Sequence, residues 1–260
     1  MLNTTTEEVP ADQGSVSDLV AAEGERPSFA TIPTGCADFM ARAAHDLRSP
    51  LGVITEVLPM LQRDLADQLS DEHTAMLKLA NRSLFRLHTF VERMRLVADL
   101  ELSQLALARN PTPLGAAVQQ VIDELLTNEP RRGVTVSHAP GNADIVVDAD
   151  VAKLKHVVSE LLNNAMRHAA SKVHVSIQQV QGEAHLIIED DGTGLSAADE
   201  RALFQRFVQR PSRNGLGIGL SLARDLVQAH DGRLWYEKST LPGASGSGAG
   251  ARFVVSLKCM

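Results

Sequence analysis

The sequence predicts an α+β protein in which an N-terminal antiparallel helical hairpin precedes an α/β sandwich. Between residues 47 and 98 apolar side chains recur at alternating spacings of four and three, as in paired helices. Beyond the prolines at 111 and 113, helical and strand patterns alternate to the end of the chain. We therefore divide the 260 residues into a flexible leader (1–35), a hairpin (36–109) and an α/β domain (110–260).

Composition excludes several classes of function. The net charge of −7 and the 3% aromatic content argue against a nucleic-acid partner. No apolar run reaches the roughly 20 residues that cross a bilayer, and the first residues are acidic and polar, unlike a signal peptide. Cys36 and Cys259 lie at opposite ends without metal-site spacing, which favours two reduced thiols. We expect a soluble, cytoplasmic protein without membrane insertion.

The hairpin is predicted from two apolar seams separated by a helix start signal. Ser70, followed by Asp71 and Glu72, is typical of a helix N-cap with an acidic first turn. A lone hairpin covers only one side of each helix, so we expect two copies to pair as a dimeric four-helix bundle. The first seam is Leu47, Leu51, Ile54, Leu58, Leu61 and Leu65; the second is Leu77, Ala80, Leu84, Leu87, Val91, Met94 and Ala98.

The segment Asn110-Pro111-Thr112-Pro113 stops the second seam and is interpreted as a hinge or linker. The patterns that follow predict helices and strands in alternation, with helices on one face of a sheet. The expected helices span 114–128, 150–169, 197–204 and 216–230. The expected strands span 133–138, 144–147, 172–180, 184–190, 233–238 and 251–257.

Two glycine-rich turns in the second half indicate a phosphate-binding region. DDGTG (190–194) follows an apolar strand pattern, and GLGIGL (215–220) opens a helix. Glycine permits close backbone approach to a ligand, and a helix N-terminus offers free N–H groups to phosphate. Neither stretch matches a P-loop, and neither fits a dinucleotide fingerprint after the first strand of a βαβ unit.

The helix before these turns carries Glu160 and Asn164 four residues apart, hence on one face. Amide and carboxylate oxygens are ligands that Mg²⁺ accepts while it bridges phosphates. The alternative is that Asn164 merely caps a buried loop.

Taken together and in order, these segments resemble the catalytic core of a sensor histidine kinase from two-component signalling. AAHDLRSPL resembles the phosphoacceptor box, LKHVVSELLNNAMRHA the N box and DDGTGL the first glycine box. LFQRF resembles the F box, GLGIGLSLA the second glycine box and GARFVVSL the closing strand. The resemblance covers residues 36–258 and implies that the second half is a Bergerat-type ATP-binding domain, as in gyrase-type ATPases.

The resemblance also implies roles for individual residues. His45 matches the phosphorylated histidine and Asp46 its acidic neighbour. Glu160 matches a catalytic base or a residue that orients Mg²⁺. Asn164 matches the Mg²⁺-binding asparagine, and Asp190 the aspartate that binds the adenine amino group. The remaining positions expected beside the nucleotide are His168, Gly192, Gly194, Gly215, Gly217 and Gly219, with residues 208–214 as the ATP lid and Arg206, Arg210 or Arg213 as phosphate-holding charges.

The sequence departs from the family pattern at several places, including a short lid in which Asn214 replaces a frequent threonine. Glu160 stands where many members have asparagine, and Ala251 replaces the usual threonine after Gly250. Ser49 occupies the position that holds threonine or asparagine in members with phosphatase activity, so the sequence leaves that activity open.

His45 lies two residues before Leu47, roughly 200° around the helix from the seam, and is therefore expected at the surface. Asp46 can orient its ring, Arg48 can attract phosphate, and Pro50 is expected to bend the helix just beyond it. We treat the other histidines except His168 as ordinary surface or half-buried residues: His73, His88, His138, His156, His174, His185 and His230.

The expected function is autophosphorylation of His45 from ATP–Mg²⁺, followed by transfer to an aspartate of a response-regulator receiver domain. The expected partners are a second copy, that receiver, and a separate sensory protein or input. Two alternatives remain open: a Bergerat-fold ATPase without phosphohistidine, and a non-catalytic dimeric phosphotransfer scaffold.

Overall fold

The hairpin is formed by two helices of equal length. The computed structural model describes residues 34–131, 133–139, 145–206, 217–241 and 250–260. Helix α1 (Thr34–Asp64) and helix α2 (Asp71–Glu101) are joined by a 3-10 turn at Ala66–Gln68. As predicted, Ser70 caps α2, because its hydroxyl accepts a hydrogen bond from the backbone N–H of His73.

Only part of the predicted seam is buried within one hairpin. Ala44, Leu51 and Val91 form a small core between α1 and α2, with Leu84 and Met94 packed against it. α1 stays helical through both Pro50 and Pro59. The large apolar side chains that remain exposed along the two helices are Phe39, Leu47, Val53, Ile54, Val57, Met60, Leu61, Leu65, Met76, Leu79, Leu87 and Phe90.

The second half contains a five-stranded sheet with the order β2-β4-β5-β7-β6. β2 pairs parallel with β4, and the other neighbours are antiparallel. β4 follows the expected alternation, with Val173, Val175 and Ile177 as its inward side chains, whereas the central strands β5 and β7 are buried over most of their length. The strands are β2 (Thr135–Ala139), β4 (Lys172–Val180), β5 (Glu183–Asp190), β6 (Arg233–Lys238) and β7 (Ala251–Lys258).

Helices cover one face of this sheet and enclose the main core. α4 contacts β4 and β5 and lies between α3 and α6, which gives the predicted sandwich. The helices are α3 (Leu114–Asn128), α4 (Val151–His168), the short α5 (Ala197–Ala202) and α6 (Gly219–Ala229). α2 of the hairpin packs against α3 and α6, and its Leu96 and Val97 belong to the same buried core.

The interpretation of residues 110–113 as a hinge is wrong. Asn110–Pro113 forms strand β1, which pairs antiparallel with β3 (Val146–Ala149) and buries Thr112. The prolines fit because a two-stranded ribbon has edges that need no N–H donor. The junction before β1 is also anchored, since the Ala108 N–H donates to Asp150 at 3.0 Å. The segment between α2 and β1 is therefore residues 102–109.

Candidate functional site

Asp190, the last residue of β5, places a buried carboxylate at the centre of the site. Its Oδ1 accepts hydrogen bonds from the backbone N–H groups of Gly192 (2.9 Å) and Ala251 (3.3 Å). Among the described residues, its buried Oδ2 has no hydrogen-bond partner. Burial raises the pKa of Asp190. A buried acceptor without a partner fits a ligand that brings its own N–H donor, such as the amino group of adenine.

Glycines allow the backbone to close around this carboxylate. A Cβ at Gly192 would lie 2.2 Å from the carbonyl oxygen of His168, and one at Gly250 would lie 1.8 Å from the carbonyl oxygen of Asp190. Gly194 (φ 68°) and Gly217 (φ 67°) have left-handed backbones, which side chains rarely adopt. The local geometry therefore requires glycine in both of the predicted glycine-rich turns. It also requires glycine at position 250, outside those turns.

The neighbouring Asp191 has a structural role. Its carboxylate accepts hydrogen bonds from the backbone N–H groups of Ala170, Ser171 and Lys172 and from the Ser171 hydroxyl. These bonds outweigh the effect of burial and lower the pKa of Asp191 to about 2. Asp191 thus fixes the turn between α4 and β4, while Asp190 keeps Oδ2 without a partner among the described residues.

Glu160, Asn164 and Arg167 share one face of α4, at spacings of four and three. Glu160 is buried, and the start of α6 lies close to it, because a Cβ at Gly219 would be 2.4 Å from Glu160 Oε2. Arg93 of α2 binds both carboxylate oxygens of Glu160, with Nη2–Oε2 at 2.9 Å. Burial raises the pKa of Glu160, and the charge of Arg93 opposes this.

The donors on α4 fit a magnesium ion only in part. Asn164 is half-buried and Glu160 is buried, and both carry the oxygen donors that Mg²⁺ prefers. Within the described ranges, no group of three or more His, Cys, Asp or Glu side chains is placed to hold a metal. An ion here would therefore take most of its ligands from water and phosphate, which is usual for Mg²⁺ in nucleotide sites.

His45 lies on the outer surface of α1, as expected from its position relative to the seam. Its side chain is 83% exposed, and its Nδ1 lies 3.3 Å from Asp46 Oδ1. Arg48, expected to attract phosphate, instead forms an ion pair with Glu92 of α2 at 2.8 Å. Glu92 also binds Arg95, so Arg48 belongs to a charge network across the hairpin.

Arg206 and His230 have different surroundings from those predicted. Arg206 pairs with Asp225 at 2.6 Å and with Glu101, so both of its partners are protein carboxylates. His168 is half-buried at the end of α4 beside Gly192. His230, expected at the surface or half-buried, is instead buried, and its ring satisfies both nitrogens by donating to the Leu226 carbonyl and accepting from the Asp150 N–H. Gly215, Arg210, Arg213 and the expected lid at 208–214 lie outside the described residues.

Sequence reasoning missed three residues that the structure brings to the site. Arg167 follows Asn164 by three residues, so the helical spacing alone was a signal for it. Gly250 has no such local signal, because its role depends on the packing of β7 against β5. Arg93 reaches Glu160 across 67 residues of sequence, and no short-range pattern marks that contact.

Fold and site together define a protein with a helical hairpin bearing an exposed histidine and a domain built like a nucleotide-binding ATPase. Residues 37–103 match the family model of the His Kinase A phospho-acceptor domain. Residues 149–259 match that of the histidine kinase-, DNA gyrase B- and HSP90-like ATPases. The chain belongs to the sensor histidine kinases.

Curated relatives agree with this assignment. The chain is 26% identical over 223 residues to the histidine protein kinase DivJ of Caulobacter vibrioides. It is 28% identical over 218 residues to the adaptive-response sensory kinase SasA of a Synechococcus strain. These alignments cover 84% and 79% of this chain, but the chain spans only 37% and 56% of the two relatives.

Two solved structures share the fold. One is full-length ShkA in complex with AMPPNP, with a TM-score of 0.57 at 19% identity, covering 86% of this chain and 46% of ShkA. The other is the Acinetobacter baumannii histidine kinase AdeS, with a TM-score of 0.53 at 22% identity, covering 82% of this chain and 97% of AdeS. No helix within the described ranges has the length and apolarity needed to cross a membrane.

Proposed function

We propose that this chain is an ATP-dependent protein histidine kinase that phosphorylates its own His45. The observation that carries the proposal is the pairing, in one chain, of two features. One is an imidazole that is 83% exposed beside Asp46. The other is a buried Asp190 oxygen that lacks a partner within the described part of the chain. The first is suited to receive a phosphoryl group, and the second to hold the adenine amino group.

The residues of the ATP-binding domain position the nucleotide. Asp190 Oδ2 accepts the adenine N–H, and the backbone near Gly192 and Gly250 closes around the base. Asn164 and Glu160 would hold Mg²⁺, which supplies charge neutralisation on the phosphates when bound. Arg167, three residues beyond Asn164 on the same face of α4, adds positive charge on the phosphate side.

His45 acts as the nucleophile. With the Nδ1 proton directed to Asp46 Oδ1 at 3.3 Å, Nε2 carries the free lone pair. Nε2 forms a bond to the γ-phosphorus as the bond from that phosphorus to the β,γ-bridging oxygen breaks, and ADP leaves. Asp46 stabilises the positive charge of the imidazolium that forms, and the ring then loses its Nδ1 proton.

The phosphoryl group then passes to an aspartate of a response-regulator receiver domain. The exposed apolar side chains of the hairpin support a homodimer that forms a four-helix bundle. A separate sensory protein or input is the proposed source of the signal, and the cytoplasm the proposed location.

Incubation of the full chain with γ-labelled ATP and Mg²⁺ tests the proposal. We expect a protein-bound label that is acid-labile and alkali-stable, and that is lost in His45→Gln while nucleotide binding is kept. His88→Gln, at another exposed position on the hairpin, is the matched control and keeps the label. ATP turnover without protein label would indicate an ATPase instead, and no nucleotide binding would indicate a scaffold.

A further inference from the structure

One stripe of α2 docks the hairpin onto the ATP-binding domain. It consists of Arg93, Leu96, Val97, Leu100 and Glu101, at positions i, i+3, i+4, i+7 and i+8 of the helix. Leu96 is 0% and Val97 is 2% exposed, and Leu100 packs against the same core. The stripe has an apolar centre with one charged residue at each end, and it lies apart from the seam that faces α1.

At one end of the stripe, Arg93 holds the carboxylate of Glu160. The guanidinium binds both oxygens in a two-pronged geometry, and the Glu160 side chain is only 7% exposed. Such pairing neutralises the carboxylate and occupies the donor atoms that a metal ion would use. The same carboxylate lies against Gly219 at the start of α6.

At the other end, Glu101 pairs with Arg206, which also binds Asp225 of α6 at 2.6 Å. The side chains of Arg206 and Glu101 are 15% and 8% exposed. This second pair keeps α2 close to the ATP-binding domain without involving Glu160 or Asn164. Of the two ion pairs, only the one with Arg93 therefore engages a proposed magnesium ligand.

We propose that the Arg93–Glu160 pair is an autoinhibitory latch, released when Glu160 becomes a ligand of the nucleotide-bound magnesium ion. This inference rests on the proposed function of the site. Arg93 takes one lone pair of each Glu160 oxygen, and a divalent cation bound to the remaining lone pairs would lie close to the guanidinium, so that the two positive charges would repel each other. Docking of the hairpin therefore weakens the binding of the Mg²⁺–nucleotide complex, and binding of that complex weakens docking by the same factor.

The latch predicts a magnesium-specific effect of Arg93→Gln on the full chain. We expect the affinity for ADP in the presence of Mg²⁺ to increase at least about fivefold, while the affinity for ADP in EDTA stays unchanged. Arg86→Gln is the matched control, because Arg86 also lies on α2 and pairs with Glu129 just beyond α3 at 3.1 Å. Arg86 is 67% exposed, and its variant is expected to bind ADP as the wild type does in both conditions.

Hydrogen exchange of the wild type gives a second readout that requires no substitution. Adding Mg²⁺ and ADP is expected to increase exchange across residues 93–101, whereas ADP in EDTA leaves it unchanged. In Arg93→Gln, the exchange of this segment is already raised without nucleotide.

The outcomes separate the latch from the proposed function. Unchanged or weakened Mg²⁺–ADP binding in Arg93→Gln, or an equal gain in EDTA, overturns the latch alone. Protection of residues 93–101 by Mg²⁺–ADP also overturns it, and this result is available even if the variant does not fold. A wild type that binds no nucleotide overturns the proposed function and the latch together.

Discussion

At the scale of single residues, the two adjacent aspartates of DDGTGL have opposite surroundings. Asp190 keeps one buried oxygen without a partner in the described ranges, whereas Asp191 uses its carboxylate to accept four donors from Ala170, Ser171 and Lys172. The sequence motif does not distinguish these roles, because both residues follow the same strand. The distinction comes from which donors the fold brings to each carboxylate.

Asp190→Asn is expected to weaken ATP binding by roughly tenfold to a hundredfold, because an amide N–H₂ at the Oδ2 position faces the adenine amino group as a second donor. Asparagine still accepts the Gly192 N–H through its carbonyl oxygen, so the fold is retained. Isothermal titration with ATP measures the change. Asp191→Asn is the control: it lowers the melting temperature but affects binding much less. Equal losses of affinity in both variants would contradict the assignment.

A substitution at Gly250 tests how tightly the backbone packs around Asp190. Gly250→Ala places a Cβ 1.8 Å from a backbone carbonyl oxygen, which no side-chain rotation can relieve. We expect the free energy of unfolding to fall by about 3 kcal/mol, together with ATP affinity. Gly52→Ala in α1, where nothing lies within 4 Å of the added Cβ, is expected to raise stability by about 0.5–1 kcal/mol. Chemical denaturation of both variants measures the contrast.

At the scale of elements, local patterns predicted most of the helices and strands. α3, β4 and β6 have the bounds that periodicity and turn residues indicate, and the Ser70 cap starts α2. These elements are predictable because their apolar period and end signals lie within the element itself. The strand at 110–113 was missed because β3, with which it pairs, begins more than thirty residues later.

The face of α2 that docks on the ATP-binding domain was also missed. Heptad spacing assigns Val91, Met94 and Ala98 to a seam, and it leaves Leu96 and Val97 off that seam. Both are buried because α3 and α6 cover them, and these helices come from a different part of the chain. The candidate site shows the same limit: the motifs locate Asp190 and Asn164, but Arg93 enters only through tertiary packing.

The exposed apolar side chains of α1 and α2 predict self-association. Ile54 and Leu61, both 49% exposed, lie seven residues apart on one face of α1. The double substitution Ile54→Asp and Leu61→Asp is expected to convert a dimer into a monomer, as measured by light scattering after gel filtration. Glu56→Asp introduces the same residue type without removing apolar surface, and it keeps the dimer. A monomeric wild type would contradict the prediction.

At the scale of the whole molecule, three layers share one core: the sheet, the helices on its face, and α2 of the hairpin. Among the described residues, three long-range ion pairs cross the boundary between the second and third layers. Arg86, Arg93 and Glu101 of α2 each pair with a residue of the ATP-binding domain. Because the proposed phosphoryl transfer requires the parts joined by these pairs to move, the charge state of the pairs matters for the whole chain.

His156 of α4 lies at this boundary and makes the molecule sensitive to pH. Burial is the main cause that lowers its pKa from 6.5 to about 4; Arg95, Arg93 and Lys153 also lower it, while Glu92 opposes them. The docked position of α2 therefore favours the neutral form of the His156 ring, whereas exposure of the ring to water favours its protonated form. The resulting stability is complete above about pH 6.5 and is lost as the pH falls toward 4.

The lowering of the His156 pKa from 6.5 to about 4 corresponds to a loss of about 3 kcal/mol of unfolding free energy once the ring is fully protonated. We expect the wild type to lose much of this free energy between pH 6.5 and 4.5. Most carboxylates titrate below this range, so the loss can be assigned to the histidine. His156→Gln cannot take up the proton, so its unfolding free energy should be flatter over the same range. His88→Gln, at an exposed position of α2, should follow the wild type. Denaturant unfolding at several pH values measures the three curves, and parallel curves for wild type and His156→Gln would rule out this role for the ring.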